Sequence, residues 1–442
     1  MKLKVLGDFN LAIKELKNDK NNAVAHLFEN SISENKNGTL ADAIFTIKET
    51  YATEDASTTA SSNLLVGFKP SYTATAVQKL IDAGAVKVAK VHCDELALGG
   101  TGLYSNNGLI VNPLDSSRLV GGSSSGSAAT FTNNISFALG SDTGDSVRLP
   151  ASYNGILGFK PSYGAISRYG LFAYSSSLDT VSYFTHNVND TFVIAKTLFG
   201  QDNKDFTSKD IYLGNEIEAR KPKKIALLNV ESNLEKNVKK QYQFLREKFS
   251  QHQIDFDYID INKDLLDLVK IVYEIISFSE ASSNLANLNG VAFGQRESGE
   301  TWSEIMKNTR SKGLGYMIQR RLTLGAYFLH QDNQKEMFVK AQKIRRLIKN
   351  YWDNLHNNYD LVVFPASANV APLIGIELNK SFGYMDSILT TANLAGNPSI
   401  TIPWIKVNNL PVNIALESKI YEDDRLLSHA LWMEEKFKEW GI

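Results

Sequence analysis

Residues Gly121 to Pro161 read GGSSSGSAATFTNNISFALGSDTGDSVRLPASYNGILGFKP. Within Gly121–Ser127 there are four serines and three glycines, and a second cluster of Gly, Ser, Thr and Asp runs from Gly140 to Ser146. Between them, Ser127 to Thr132 reads as the start of a helix and Ile135 to Leu139 (ISFAL) as a buried strand. The second cluster therefore leaves the C-terminal end of a strand, where ligand sites of open α/β sheets lie. Hydroxyls and bare backbone amides dominate both clusters. Acyl transfer needs such groups: a hydroxyl nucleophile, a proton relay and N–H donors for an oxyanion.

Working outward, Phe9, Ile13, Leu16, Val24, Leu27 and Phe28 predict a helix over 8–34. Ala43 to Ile47 reads as a buried strand ending at Lys48. Thr50 to Ser62 reads as a loop. Ala74 to Ala83 reads as a helix stopped by Gly84, and Ala85 to Val91 as a strand, a helix–Gly–strand unit typical of α/β chains. Further on, helices are expected at 191–198, 234–249, 264–288, 318–328, 335–355 and 424–440. Strands are expected at 224–230, 361–364 and 399–405. The alternation of helices and strands predicts an α/β chain.

Composition narrows the function. Of 442 residues, 43% are hydrophobic and 21% charged, as in ordinary globular proteins. A net charge of −1 does not favour a strongly electrostatic nucleic-acid binder. The basic cluster Lys340, Lys343, Arg345, Arg346 and Lys349 reads as a solvated helix face, with RNA contact the lesser alternative. One cysteine, Cys93, allows no internal disulfide. His92-Cys93-Asp94-Glu95 makes a poor metal cage because consecutive side chains diverge. Met1-Lys2-Leu3-Lys4 does not open a signal peptide, and no apolar run nears the ~18 residues of a membrane span. A cytosolic (cytoplasmic) protein with no membrane contact is expected.

A serine nucleophile needs a base. The G-x-S-x-G match centred on Ser124 lacks the preceding strand of a nucleophile elbow, with only Leu119-Val120 before the glycines. None of the seven histidines sits in a motif that suggests a catalytic partner. A lysine is the usual substitute. Burial lowers a lysine pKa and frees its lone pair, so Lys48, closing a buried strand, is the candidate. A serine of the first cluster could relay a proton between Lys48 and Ser146. Spacing alone does not decide which serine attacks.

Three segments, GGSSSGSAA (121–129), GSDTGDSVRLPAS (140–152) and GFKPSYGAISRYG (158–170), resemble the amidase signature family. FTIKETYAT (45–53), GAVKVAKVHCDELALGG (84–100), NPLDSSRLVGG (112–122) and SLDTVSYFTHNVNDT (177–191) extend the resemblance. It implies one α/β/α signature domain over 1–442, a mixed central sheet with helices on both faces: about 1–38 an N-terminal helical segment, 40–190 the catalytic core, 191–442 the remainder. Within the family, EASSNLANLNGVAFGQR (280–296), GLGYMIQRRLTLGAYFL (313–329) and FGYMDSILTTANLAGNPSITIP (382–403) are similar to the A-type branch of tRNA-dependent amidotransferases.

By resemblance, Lys48 is the base, Ser123 the bridging serine, joined to the next residue by a cis peptide, and Ser146 the acyl-forming nucleophile. The oxyanion hole falls on the backbone N–H groups of Thr143, Gly144 and Asp145. In this branch an arginine holds the glutamine α-carboxylate and an aspartate its α-amino group. Those fall on Arg321, with Arg320 the register alternative, and on Asp386. The resemblance implies glutaminase chemistry with no cofactor in this chain. It implies a heterotrimer with B- and C-type subunits, the partner using ATP and Mg²⁺ to activate a mischarged tRNA, glutamyl or aspartyl. The alternatives are a stand-alone amidase with the same triad and a degenerate scaffold. The second rests on Asp145, which replaces the family's second glycine before the nucleophile. An aspartate keeps the N–H and tolerates positive φ, but its carboxylate could disfavour an oxyanion. Further departures are GGSSSG for GGSSGG, a deletion near Asn133–Asn134, and Leu149 for the usual glutamine.

Overall fold

The computed structural model describes residues 2–375 and 380–442. In chain order its strands are β1 (Val24–Leu27), β2 (Ile44–Lys48), β3 (Val86–Val91), β4 (Phe137–Asp142), β5 (Leu157–Lys160), β6 (Thr180–Thr185), β7 (Ile225–Asn229), β8 (Phe256–Asp260), β9 (Leu361–Pro365), β10 (Ser399–Val407) and β11 (Leu410–Glu417). They form one sheet in the order β1-β3-β2-β4-β6-β5-β10-β11-β9-β7-β8. The strands β3, β2 and β4 run parallel, as do β8, β7 and β9. The pairs from β4 through β6, β5, β10 and β11 to β9 are antiparallel. The sheet is thus mixed, as expected.

Strand β2 is buried along its whole length, and β4 likewise. A strand covered on both faces reads as a continuous apolar run, and Ile44-Phe45-Thr46-Ile47 is one. Alternation along β4 shows the two faces. Phe137 and Leu139 enter the main core, with the helices Val188–Leu198 and Asp423–Trp440. Ala138 enters a smaller cluster, with the helices Ser125–Ala129 and Arg148–Asn154. Helices therefore cover both faces.

Several elements differ from expectation. The helix expected over 8–34 ends at Lys17, and residues 24–27 are strand β1. The Asp19 carboxylate accepts from the backbone N–H groups of Asn21 (2.9 Å), Ala23 (2.6 Å) and Val24 (3.1 Å), which turns the chain out of the helix. The helix expected from Ser127 begins at Ser125, inside the serine cluster, where Gly126 N–H donates to His92 O. The segment 264–288 is two helices, Lys263–Asp267 and Val269–Asn284. Strands β5, β6, β8 and β11 and the helices Arg148–Asn154 and Trp302–Gly313 were not expected. Among the described residues, no helix is long and apolar enough to cross a membrane. In the basic cluster, Arg345 faces inward and donates to Leu394 O and to Ser177 Oγ and O. Lys340, Lys343 and Arg346 are exposed.

Candidate active site

Lys48 closes β2 and is fully buried. Its Nζ lies 2.8 Å from Ser123 Oγ, 2.9 Å from Ser141 Oγ and 3.1 Å from Ser124 Oγ. Burial is the main influence on the amine and outweighs the opposing fields of Cys93, Asp94, Asp142 and Asp179. Its pKa falls to about 8. A lysine so placed yields its proton near neutrality and can then accept one.

The first serine cluster sits against the loop that follows β3. The peptide bond Gly122–Ser123 is cis, so it precedes Ser123 rather than following it as the resemblance implied. A Cβ on Gly122 would lie 2.1 Å from Asp94 Oδ2 and 2.8 Å from Thr101 N, so only glycine fits there. The Asp94 carboxylate accepts from the N–H groups of Thr101, Gly102 and Tyr104 and shapes that wall. Glu95 accepts from Ser62 Oγ and Gly315 N. The row His92 to Glu95 thus serves separate loops.

Ser146 lies on the turn between β4 and the helix Arg148–Asn154, and is buried with 5% exposed. The two clusters meet through the backbone, Ser124 N–H donating to Ser146 O at 3.2 Å. The Ser146 hydroxyl has no hydrogen bond among the described residues. Nor do the backbone N–H groups of Thr143, Gly144, Asp145 and Ser146 have an acceptor there. Buried N–H groups are nearly always paired. Four in a row beside a hydroxyl make a ready anion cradle. The Tyr273 ring packs over Gly144, where a Cβ would meet it at 3.0 Å.

Two buried charges hold this turn. Arg148 donates to Asp142 through Nε (3.1 Å) and Nη2 (2.9 Å), to Gly144 O (2.8 Å), to Leu389 O (2.6 Å) and to Asn393 Oδ1 (2.6 Å). Burial pushes the Asp142 carboxyl up, but Arg148 outweighs it and leaves it below the usual range. Thr143 Oγ1 donates to Asp179 Oδ1 at 2.7 Å. The sequence reading missed Asp142, Arg148 and Asn393. The charged pair inside GSDTGDSVR was the available signal, though buried ion pairs are rare enough to be passed over.

Asp145 is partly buried and its φ is not positive, so replacing glycine costs no left-handed backbone strain. The tolerance of aspartate for positive φ is therefore not needed. Its carboxylate has no hydrogen bond or ion pair among the described residues. Burial and Asp142 raise its pKa to about 7 against Arg148 and Arg321. Asp145, Tyr153, Ser367, Lys380 and Asp386 line a cavity of about 120 Å³. Asp386 is exposed and accepts from Ser381 Oγ (2.7 Å) and Phe382 N (3.1 Å). Arg320 is exposed on the helix Tyr316–Leu329. Arg321 turns inward, with its guanidinium over the Phe278 ring and Nη1 3.4 Å from Tyr174 Oη. Arg321 does not line the cavity that holds Asp386. The structure thus joins Lys48 to Ser123 directly and Ser146 to that cluster through the backbone. Arg321 lies close enough to act on the Asp145 carboxyl, which lines the same cavity as Asp386.

Comparison with known proteins places the chain. The family model described as Amidase matches residues 9–427. The A-type subunit of glutamyl-tRNA(Gln) amidotransferase from Mycoplasma genitalium is 35% identical over 408 residues, covering 89% of this chain and 86% of that protein. Its counterpart of the same name from Staphylococcus haemolyticus is 35% identical over 436 residues, covering 95% and 89%. The solved structure of the corresponding glutamyl-tRNA(Gln) amidotransferase chain from Thermotoga maritima superposes with a TM-score of 0.78 at 30% identity, covering 96% of this chain and 90% of that one. Sequence and fold agree along nearly the whole chain, which belongs to the amidase family.

Proposed function

We propose that this chain is the glutamine-hydrolysing component of a tRNA-dependent amidotransferase, using Lys48, Ser123 and Ser146. Relatives named as the A-type component of glutamyl-tRNA(Gln) amidotransferase, about a third identical over most of both chains, support the substrate and the assembly. The observation that carries the chemistry is the 2.8 Å contact between Lys48 Nζ and Ser123 Oγ, in a buried crevice next to four unpaired N–H groups.

Neutral Lys48 takes the proton of Ser123, which takes that of Ser146. Ser146 Oγ then attacks the side-chain amide carbon of glutamine. Negative charge moves to the amide oxygen, and the N–H groups of Thr143, Gly144 and Asp145 receive it. One such donor lowers the barrier by about 3 kcal/mol. The C–N bond breaks as the nitrogen takes the proton held by Lys48, and ammonia leaves. Water, deprotonated by the same relay, hydrolyses the ester and returns glutamate and Ser146. Arg321 would pair with the α-carboxylate and Asp386 with the α-ammonium. Ammonia would pass to a partner subunit, which would use ATP and Mg²⁺ to activate the tRNA-bound carboxylate. A B-type and a C-type partner complete the heterotrimer.

The test is ammonia release from glutamine by the chain co-purified with its partners. The proposal expects turnover in the wild type and none in Ser146→Ala. Equal turnover in Ser146→Ala rejects the nucleophile. Turnover of simple amides, with glutamine ignored and no partner captured, rejects the amidotransferase.

A further inference from the structure

Three hydroxyls surround Lys48 Nζ, those of Ser123 (2.8 Å), Ser141 (2.9 Å) and Ser124 (3.1 Å), with the Ser141 carbonyl farther off at 3.5 Å. An ammonium has three N–H donors and no acceptor, so the three hydroxyls, its closest contacts, match it one for one. A neutral amine has two N–H donors and one lone pair. On deprotonation, one of the three contacts must reverse and donate to nitrogen.

The hydrogen-bond inventory limits which one can. Ser124 Oγ donates to Ser141 O at 3.2 Å and accepts from Ser141 N–H at 3.2 Å. Its hydrogen is committed, and its remaining lone pair faces Nζ. Ser123 Oγ and Ser141 Oγ have no partner other than Lys48 among the described residues, so each can turn its hydrogen toward nitrogen.

We propose that Ser124 is a positioning residue: an obligate acceptor, clamped on the Ser141 main chain, that holds one N–H of Lys48 and keeps the lone pair of the neutral amine turned away from itself and toward the relay hydroxyl of Ser123. Ser141 Oγ takes the second N–H in the productive state. The proposal rests on the function proposed above only in needing Lys48 as the base. It also fixes the direction of a pH effect. Cys93 and Asp94 beyond β3, Asp142 at the end of β4 and Asp179 before β6 are the charged or titratable groups whose fields reach the amine. Removing the Ser124 hydroxyl removes an acceptor that favours the ammonium, so Lys48 then titrates below its present value of about 8.

The experiment uses the full chain and an alkyl fluorophosphonate, with mass spectrometry locating the adduct. Ser146 Oγ attacks phosphorus, the P–F bond breaks, fluoride leaves and the hydroxyl proton passes through Ser123 to Lys48. No glutamine or partner is needed. Ser124→Ala is expected to label Ser146 about tenfold more slowly, with the midpoint of its pH–rate curve moved to lower pH. Adding Ser124→Ala to Lys48→Ala should cause no further loss, since both act through one amine. Ser124→Cys, close in size and a weak acceptor, should move the midpoint the same way and serves if the alanine variant fails to fold. An unchanged rate and midpoint, or an additive loss in the Lys48→Ala background, overturns the proposal. Absence of wild-type labelling at Ser146 overturns it together with the nucleophile. Labelling at Ser146 by a chain whose complex releases no ammonia from glutamine leaves the positioning role intact and rejects the function.

Discussion

A lysine amine is a useful base only where its charged form is disfavoured, and the end of β2 is such a place. Burial works against the ammonium at Lys48, and the nearby acidic groups restore only part of the balance. Glutamine turnover should therefore rise with pH and level off above about 8, the limb reporting loss of the Lys48 proton. Lys48→Arg keeps the charge but cannot deprotonate. It should cut turnover at least about a hundredfold, measured as ammonia release at pH 8. Asp145 offers a second residue-level test. Its carboxyl ionises near pH 7, so its negative charge stands beside the oxyanion donors above that pH and is absent well below it. Asp145→Asn should raise kcat about tenfold at pH 8 and change it little at pH 5.5, by steady-state assay of the complex. Lys48 was legible in the sequence because a charge closing an apolar strand is unusual. Ser124 was discarded with the false elbow motif, and Ser141 was passed over. Their roles depend on which way Nζ points, and spacing does not encode that.

Among elements, the turn from Asp142 to Arg148 holds the proposed nucleophile, and a buried ion pair braces it. Arg148 reaches the carbonyls of Gly144 and Leu389, so one guanidinium ties the nucleophile turn to the C-terminal part of the chain. Removing one partner of a buried, hydrogen-bonded pair leaves the other charge uncompensated. Arg148→Met should cost about 3–5 kcal/mol, read from urea unfolding, and should lower turnover by disordering the N–H row. Strands β2, β3, β7, β9 and β10 were readable as apolar or alternating runs. Strand β11, LPVNIALE, was not, because Pro411 and Asn413 argue against a central strand. The Pro411 position falls near the strand start, and Asn413 finds partners in Ser152 and Ile156 O. Strand β5, LGFK, has only four residues, too few for a period, whereas β6, TVSYFT, carries β-forming residues that the reading overlooked. Val24 and Leu27 were assigned to a helix because a few apolar residues fit either period.

Over the whole molecule, the signature segment is not self-sufficient. Strand β5 pairs with β10, more than two hundred residues later. Arg148 needs Leu389, Asn393 and Ser399, and Trp352 Nε1 donates to Glu417 Oε2 in the core. We expect the chain to behave as one cooperative domain, and a fragment ending at residue 200 should show no cooperative unfolding transition by circular dichroism. The fold class was legible because helix–Gly–strand grammar repeats. The strand order was not, since it depends on pairings far apart in sequence. The proposed function turns on a buried lysine activating a serine through another serine. The most direct measurement is ammonia release from glutamine at pH 8 by complexes carrying wild-type, Lys48→Arg and Ser146→Ala chains of equal thermal stability. The account predicts turnover in the first alone. Wild-type rates from the Lys48→Arg complex would contradict it.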